Sequence, residues 1–163
     1  LRQNKGAVMT HTNINLARRA LSLGLVLAPF ASYAATEKPV ITVWKSPTCG
    51  CCKDWITYVE RNGFVTKVHS DGNDEIRKRM GMPIQFGSCH TAVIEGYVIE
   101  GHVPAREIKR LLAEKPKAVG IAVPAMPMGS PGMDGPEYGS RKDPYDVLLI
   151  SKNGQSQVYQ SYR

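Results

Sequence analysis

The chain has 163 residues, with 21 lysines and arginines against 14 aspartates and glutamates, so its formal net charge at pH 7 is +7. Four of the basic residues and no acidic residue fall within the first 34 positions, and the remaining 129 residues carry a surplus of only +3. Such a mild surplus gives no support for a nucleic-acid partner. The one basic run, Arg77-Lys78-Arg79, is typical of a solvated helix face. Residues 35–163 have the usual size of one domain.

The N-terminal segment has the order of a secretory signal. Arg18-Arg19 precede an apolar run over 20–30, and Ser32-Tyr33-Ala34 then places small residues where a signal peptidase reads them. The run is too short for a membrane-spanning helix, which needs about 20 apolar residues. We therefore predict upstream residues and a cleaved signal peptide over 1–34, an exported domain over 35–163, and no membrane anchor after cleavage. The paired arginines leave twin-arginine export open beside general secretion.

The next part of the chain predicts seven regular elements in the order β-α-β-α-β-β-α. Strands are indicated by β-branched or alternating apolar residues, and helices by apolar positions on one face. In chain order they are strand 40–44, helix 52–62, strand 64–69, short polar helix 73–80, strands 91–94 and 97–100, and a helix from 104 to 114. The first strand–helix–strand unit implies parallel pairing with a right-handed crossover. This is the order of the thioredoxin fold, so we predict an α/β domain of that kind.

The C-terminal part is different in kind. Residues 119–139 are rich in Met, Pro and Gly and show no periodicity. Loops of this length are uncommon in compact domains unless they serve a function. Residues 145–150 and 157–162, on either side of Asn153-Gly154, predict a closing β-hairpin.

Four cysteines carry most of the chemical information. Cys49, Cys51 and Cys52 lie where the first strand turns into a helix, and Cys89 opens a later strand. Four cysteines in an exported chain would normally form two disulfides. A bridge from Cys49 to Cys52 has ordinary geometry and would leave Cys51 and Cys89 to meet across the fold. A helix start stabilises thiolates through its unpaired N–H groups and partial positive charge.

Two kinds of chemistry fit these thiols. Cys49 and Cys52 have the C-x-x-C spacing of thiol–disulfide enzymes, with Cys49 as the nucleophile and Cys52 as the resolving thiol. The third thiol, Cys51, favours a metal, because converging thiolates suit Cu(I), Zn(II) or an iron–sulfur centre. Zinc fits less well, since three ligands within four residues suit a tetrahedral site poorly. In the predicted topology Cys89 faces the other three thiols across a short gap. A structural domain with two disulfides stays open as well.

Further ligands are candidates near the thiols. His90 follows Cys89, but alternation along a strand would point the two side chains in opposite directions, and a hydrogen-bonded polar histidine is the alternative. The irregular loop holds three methionines, whose soft thioethers prefer Cu(I) but also fill gaps in packing. They are Met126, Met128 and Met133. We expect packing or polar-surface roles for Met80, Met82, His69 and His102.

The residues around the thiols resemble a known family. Residues 43–52, which end in Cys-Gly-Cys-Cys, closely resemble the signature of the CopG-type copper-resistance proteins. Residues 88–94 and 96–104 look like the second block of that family, and the stretch from Gly120 to Met133 is similar to its third. The resemblance covers roughly 40–162, nearly all of the expected mature chain.

This resemblance implies a periplasmic thioredoxin-like protein of Gram-negative copper-handling systems. The metal ligands that it implies are Cys49, Cys51, Cys52 and Cys89, with several copper ions bridged by cysteine sulfur and with redox activity on copper. Its implied partners are copper ions and other periplasmic copper-handling proteins. The leading hypothesis is therefore Cu(I) binding for copper resistance and trafficking, and the alternative is a thioredoxin-like thiol–disulfide oxidoreductase.

Overall fold

The computed structural model describes residues 37–163, and the predicted signal segment over 1–34 lies outside the described residues. The strands are β1 Val40–Lys45, β2 Val65–His69, β3 His90–Ile94, β4 Tyr97–Glu100, β5 Ala118–Ala122, β6 Tyr145–Ser151 and β7 Ser156–Tyr162. The helices are α1 Gly50–Arg61, α2 Asp74–Arg79 and α3 Ala105–Glu114, with short 3₁₀ turns at Ile84–Phe86 and Pro136–Tyr138. No helix over 37–163 is long and apolar enough to cross a bilayer.

The strands form one mixed sheet in the order β2-β1-β3-β4-β5-β6-β7. The pairs β1–β2 and β4–β5 are parallel, and the other neighbouring pairs are antiparallel. Two registers position the thiols. Lys45 at the end of β1 pairs with His90 at the start of β3, and Thr91 pairs with Glu100 across the β3–β4 hairpin. The end of β1, the start of β3 and the end of β4 therefore meet at one edge of the fold.

Apolar residues cover both faces of the sheet. On one face, Trp55 and Val59 of α1 and Ile108 and Leu111 of α3 pack as fully buried side chains on the strands. Burying each aliphatic side chain contributes roughly 1.5–3 kcal/mol. On the other face, Met82 packs in a smaller cluster with Val98, Ala122 and Ile150. Strand alternation explains this division, because neighbouring residues of each strand point to opposite faces.

The element order from β1 to α3 is the predicted one, and so is the closing hairpin. The prediction of an irregular segment over all of 119–139 was wrong at its start, because β5 is an interior strand. The sequence pattern did not predict β5, because Gly120 interrupts its apolar side chains. Its backbone lies so close to β4 that a Cβ would overlap the Val98 carbonyl oxygen, so the position needs glycine and offers no apolar side chain.

Helix α1 begins earlier than predicted. Its first helical residue is Gly50, with Cys49 as the N-cap in extended conformation, whereas the sequence pattern placed the start at Cys52. Cys51 and Cys52 therefore belong to the first helical turn. Three thiols are thus concentrated at the partial positive charge of one helix end.

Candidate metal centre

The C-x-C-C segment gathers three sulfurs at the start of α1. The Cys49 Sγ accepts a hydrogen bond from the Cys52 backbone N–H at 3.3 Å, as the N-cap of the helix. Cys49 and Cys52 are joined by a disulfide, as the spacing allowed. The Cys51 Sγ is a free thiol 3.6 Å from the Cys49 Sγ. Cys52 is fully buried, while Cys49 and Cys51 are half-buried, so solvent reaches two of the three sulfurs.

Cys89 lies across from these three sulfurs, as the predicted topology requires. Its Sγ is 3.9 Å from the Cys51 Sγ, and its carbonyl oxygen is 3.6 Å from the Cys52 Sγ. All four Sγ atoms lie within 4.8 Å of one another. Once the Cys49–Cys52 disulfide is reduced, one ion or several bridged ions could reach all four sulfurs; their role as ligands stays a prediction.

His102 belongs to the same cluster, and sequence reasoning missed it. Its Nε2 is 3.1 Å from the Cys89 Sγ, and its Nδ1 is 2.8 Å from the Pro131 carbonyl oxygen. Since a carbonyl only accepts, Nδ1 must carry the proton and the Nε2 lone pair faces the thiol. Burial lowers the pKa of His102, which favours this neutral form. A metal-binding histidine commonly uses its second nitrogen in this way, as a donor to a backbone carbonyl.

The predicted hairpin carried a signal for His102. Thr91 pairs with Glu100, so Cys89 and His102 each lie two residues beyond the same paired end of the hairpin. We expected a packing or polar-surface role for His102; the ring is fully buried rather than at the surface, and its contact with Cys89 was not foreseen.

His90 also contacts Cys89, contrary to the expectation from strand alternation. Its Nδ1 is 3.5 Å from the Cys89 Sγ. Alternation fails here because β3 begins at His90, so Cys89 lies in the irregular backbone before the strand. The ring is fully buried, 4.3 Å from the Trp55 ring between centroids. Burial, assisted by the neighbouring His102 and Lys45, holds the pKa of His90 well below its ordinary value.

His90 contributes an unpaired polar atom to the cluster. Its Nε2 is the one buried side-chain nitrogen or oxygen within residues 37–163 that has no hydrogen-bond partner. Buried polar atoms without partners are rare, so this ring nitrogen is a candidate metal ligand.

Of the three loop methionines, Met126 reaches the thiols. Its Sδ is 3.9 Å from the Cys51 Sγ, and the side chain is exposed. The preceding Ala125 has a left-handed backbone (φ +61°), and its carbonyl accepts a hydrogen bond from the Ser88 hydroxyl at 2.6 Å. Met128 and Met133 make no such sulfur contact within the described residues, and Met133 is buried.

The remaining sulfur and imidazole candidates pack as expected. Met82 is buried in the smaller apolar cluster, with Met80 partly buried against it. The His69 ring stacks on the Trp44 ring with centroids 4.9 Å apart and an angle of 8° between the planes.

The donor set suits a soft ion. The two groups of potential ligands in residues 37–163 contain only cysteine and histidine, and Met126 adds a thioether. Thiolate and thioether favour Cu(I), and imidazole suits copper and zinc, whereas carboxylate-rich sites favour hard cations. Burial, followed by the charge of Cys51, raises the pKa of the Cys89 thiol to about 12. Without an ion this thiol is therefore protonated, and a bound cation would displace the proton.

Comparison with known proteins agrees with this donor set. Residues 86–133 match the family model described as a protein of unknown function, DUF411. A solved structure described as copper resistance protein CopG, form 2, is 44% identical with a TM-score of 0.72, over 78% of this chain and 100% of the other. Its form 1 is 45% identical with a TM-score of 0.71, over 77% of this chain and 98% of the other. No curated protein matches.

The chain belongs to the CopG copper-resistance family. Membership confirms the family resemblance that the sequence analysis predicted. The CopG alignments span practically the whole length of both solved chains, so the likeness is not confined to the thiol motif.

Proposed function

We propose that this protein binds Cu(I) in the periplasm and serves copper resistance and trafficking. The observation that carries the proposal is the approach of the four cysteine sulfurs to within 4.8 Å of one another. Two further findings support it: the CopG relatives are described as copper resistance proteins, and the surrounding donors are soft. The predicted signal segment supports export.

The proposed ligands are Cys49, Cys51, Cys52 and Cys89, assisted by imidazole and thioether. His102 offers its Nε2 lone pair at 3.1 Å from the Cys89 sulfur, and Met126 lies over Cys51. His90, with its unpaired Nε2, is a further candidate. These soft donors exceed what one four-coordinate ion uses, which supports several copper ions bridged by cysteine sulfur.

The proposal includes redox activity on copper, which the Cys49–Cys52 disulfide supports. Cys49 and Cys52 can ligate as thiolates only when the bond between them is reduced. Two thiolates that form one disulfide release two electrons, which reduce two Cu(II) ions to Cu(I). In the reverse direction two Cu(I) ions supply the two electrons that open the bond. We propose that this exchange couples the C-x-x-C pair to the oxidation state of bound copper.

We infer further that the segment from β1 to α3 is a thioredoxin-like unit. The strand order β2-β1-β3-β4, with β1 parallel to β2 and antiparallel to β3, supports this inference. A C-x-x-C disulfide at the start of the helix after β1 supports it as well. The β5–β7 strands and the methionine loop then form the C-terminal addition.

The test of copper binding is Cys51→Ser, loaded anaerobically with Cu(I) after reduction and analysed for metal content. The hydroxyl is a poor ligand for a soft ion, so the amount of copper bound per chain should fall. Circular dichroism should show an unchanged fold, because Cys51 is half-buried and forms no disulfide. Copper content equal to the wild type would contradict a shared thiolate centre.

A specific observation favours a second function, thiol–disulfide exchange. The disulfide joins a half-buried Cys49 to a fully buried Cys52, an asymmetry suited to one attacked sulfur and one resolving sulfur. Two external thiols would first reduce the Cys49–Cys52 disulfide. The Cys49 thiolate would then attack a substrate disulfide and release one substrate thiolate, and Cys52 would resolve the mixed disulfide, releasing the second and re-forming the bond to Cys49. Reductase turnover should then survive Cys51→Ser and disappear in Cys49→Ser. Absence of reductase turnover in the wild type would contradict this second function, and its loss in Cys51→Ser would contradict a mechanism confined to Cys49 and Cys52.

A further inference from the structure

A buried ion pair lies beside the thiol cluster without touching a sulfur. Glu100, at the end of β4, is fully buried, and Arg77 of α2 is 5% exposed. One Glu100 oxygen, Oε1, accepts hydrogen bonds from Arg77 Nε at 3.0 Å and from the Ser88 backbone N–H at 2.7 Å. Arg77 Nη2 in turn donates to the Ser88 carbonyl oxygen at 2.8 Å. Both backbone groups of the residue before Cys89 are therefore held by this pair.

The same network holds the chain on the other side of Cys89. The second Glu100 oxygen accepts a hydrogen bond from the Thr91 hydroxyl at 2.6 Å. Asn73 Nδ2 donates to the Thr91 oxygen at 3.1 Å and to the Ser88 carbonyl at 3.2 Å. Asn73 occupies the N-cap position of α2, yet its side chain makes no capping hydrogen bond there. Its hydrogen bonds serve the Cys89 segment instead.

Gly87 lets the chain pass close to the guanidinium. A Cβ at this position would lie 2.9 Å from the Ile84 carbonyl oxygen and 3.3 Å from both Cζ and Nε of Arg77. A side chain here would therefore displace either the 3₁₀ turn or Arg77.

Ser88 extends the network to the methionine loop. While Arg77 and Glu100 hold its backbone, its hydroxyl donates to the Ala125 carbonyl at 2.6 Å. Ala125 directly precedes Met126, whose Sδ is 3.9 Å from the Cys51 Sγ. One residue thus connects the ion pair to both Cys89 and Met126.

Stability alone is a poor reason to bury such a pair. Removing two charges from water is unfavourable, and replacing a buried ion pair by apolar residues of similar volume is often neutral or stabilising. The pair is better explained by the direction of its bonds, which converge on the segment that carries Cys89.

We propose that Glu100 and Arg77 are positioning residues, which set the Cys89 sulfur and, through Ser88, the Met126 sulfur against Cys51. The inference rests on the proposed copper site, to which it adds residues that hold the ligands in place through hydrogen bonds. Outer hydrogen-bond partners of this kind typically change metal affinity by about 10–100-fold when they are removed.

The first test is Glu100→Gln, measured in the full chain by competition with a Cu(I) chelator. Glutamine has one acceptor oxygen where glutamate has two, and its NH₂ group only donates. Ser88, Arg77 or Thr91 therefore loses its acceptor. Copper affinity should fall by about 10–100-fold. The copper–thiolate absorption per bound ion should also change. In the reduced, metal-free protein, Cys89 should react faster with iodoacetamide, as followed by peptide mass spectrometry.

A matched control is Glu107→Gln. Glu107 is also buried, at 1% exposed, and pairs with Arg106 at 2.8 Å and with the Tyr162 hydroxyl at 2.6 Å. It belongs to α3, and its side-chain partners are Arg106 and Tyr162 rather than residues around Cys89. Its replacement should leave copper affinity and Cys89 alkylation at the wild-type level, even if it lowers the melting temperature by a similar amount.

If Glu100→Gln fails to fold, a double variant, Arg77→Met with Glu100→Leu, tests whether the pair positions Cys89. It removes both charges together, so neither is left buried and unpaired, while the Ser88 N–H loses its acceptor and the Ser88 carbonyl keeps only Asn73. A stable double variant with weaker copper binding and faster Cys89 alkylation supports positioning. Wild-type copper affinity and alkylation in a folded variant would overturn it. If the wild type itself binds no Cu(I), the proposed function fails, and the alkylation rate alone decides the role of the pair.

Discussion

The two halves of the thiol site are built in different ways. Cys49, Cys51 and Cys52 come from one segment, and the start of α1 alone brings their sulfurs together. Cys89, His102 and Met126 come from three separated segments and meet through strand register, a buried ion pair and a loop. The first half depends on local backbone geometry, whereas the second depends on the assembled fold. Changes in the second half should therefore affect copper binding through positions far from the sulfurs.

The largest effect is expected for Cys89→Ser, because Cys89 joins the local thiols to the imidazole of His102. Its loss removes a soft ligand and separates the two halves. Copper affinity should fall by about 100-fold, or roughly 2.7 kcal/mol, as measured by chelator competition. The loss should exceed that of Cys51→Ser, which leaves Cys89 beside two remaining thiols. Equal losses in the two variants would show that the halves are not distinct.

Gly132→Ala tests the second half of the site, formed by Cys89, His102 and Met126 (the assembled half), at a residue that is not itself a proposed ligand. Gly132 has φ +81°, and a Cβ there would lie 2.7 Å from the Trp55 backbone nitrogen and 2.8 Å from the Cys51 carbonyl oxygen. Its chain neighbour Pro131 holds the His102 ring. The free energy of unfolding should fall by about 2 kcal/mol, from the left-handed backbone and the overlap with α1. Urea denaturation measures this change.

Gly96→Ala is the matched control for that substitution. Gly96 has a similar φ of +83°, but a Cβ there meets nothing within 4 Å. Its replacement should cost about 1 kcal/mol, from the backbone alone, and leave copper affinity unchanged. If the two variants lose the same stability, the packing of Gly132 on α1 is unimportant.

The same division explains what the sequence could predict. The C-x-C-C thiols, the order from β1 to α3 and the closing hairpin follow from local spacing and periodicity, and the structure has them. β5 was missed because close approach to the β4 backbone requires glycine at position 120, so the strand lacks an apolar side chain there. The contact of His102 with Cys89 was missed because both residues lie beyond the paired ends of β3 and β4, where strand periodicity gives no guide. The expectation of a solvated helix face over Arg77-Lys78-Arg79 was wrong for Arg77, which is 5% exposed. Its pairing with Glu100 was missed because nothing local links α2 to β4.

A smaller effect is expected for His102→Gln. It removes the Nε2 lone pair beside Cys89 and the hydrogen bond from Nδ1 to Pro131. We expect copper affinity to fall by about tenfold, or 1.4 kcal/mol, and stability to fall by about 1 kcal/mol. His69→Gln is the control, since His69 is exposed and stacks on Trp44. The same loss of copper affinity in both variants would argue against a ligand role for His102.

The smallest effect is expected for Met126→Leu. Leucine keeps the apolar volume but removes the thioether that lies 3.9 Å from the Cys51 sulfur. Because Met126 is exposed and one of several soft donors, copper affinity should fall by about two- to fivefold, or roughly 0.5–1 kcal/mol. Met128→Leu is the matched control from the same loop and should bind copper as the wild type does. If Met126→Leu also binds as the wild type does, the loop contributes packing rather than a ligand, and the assembled half reduces to Cys89 and its imidazoles.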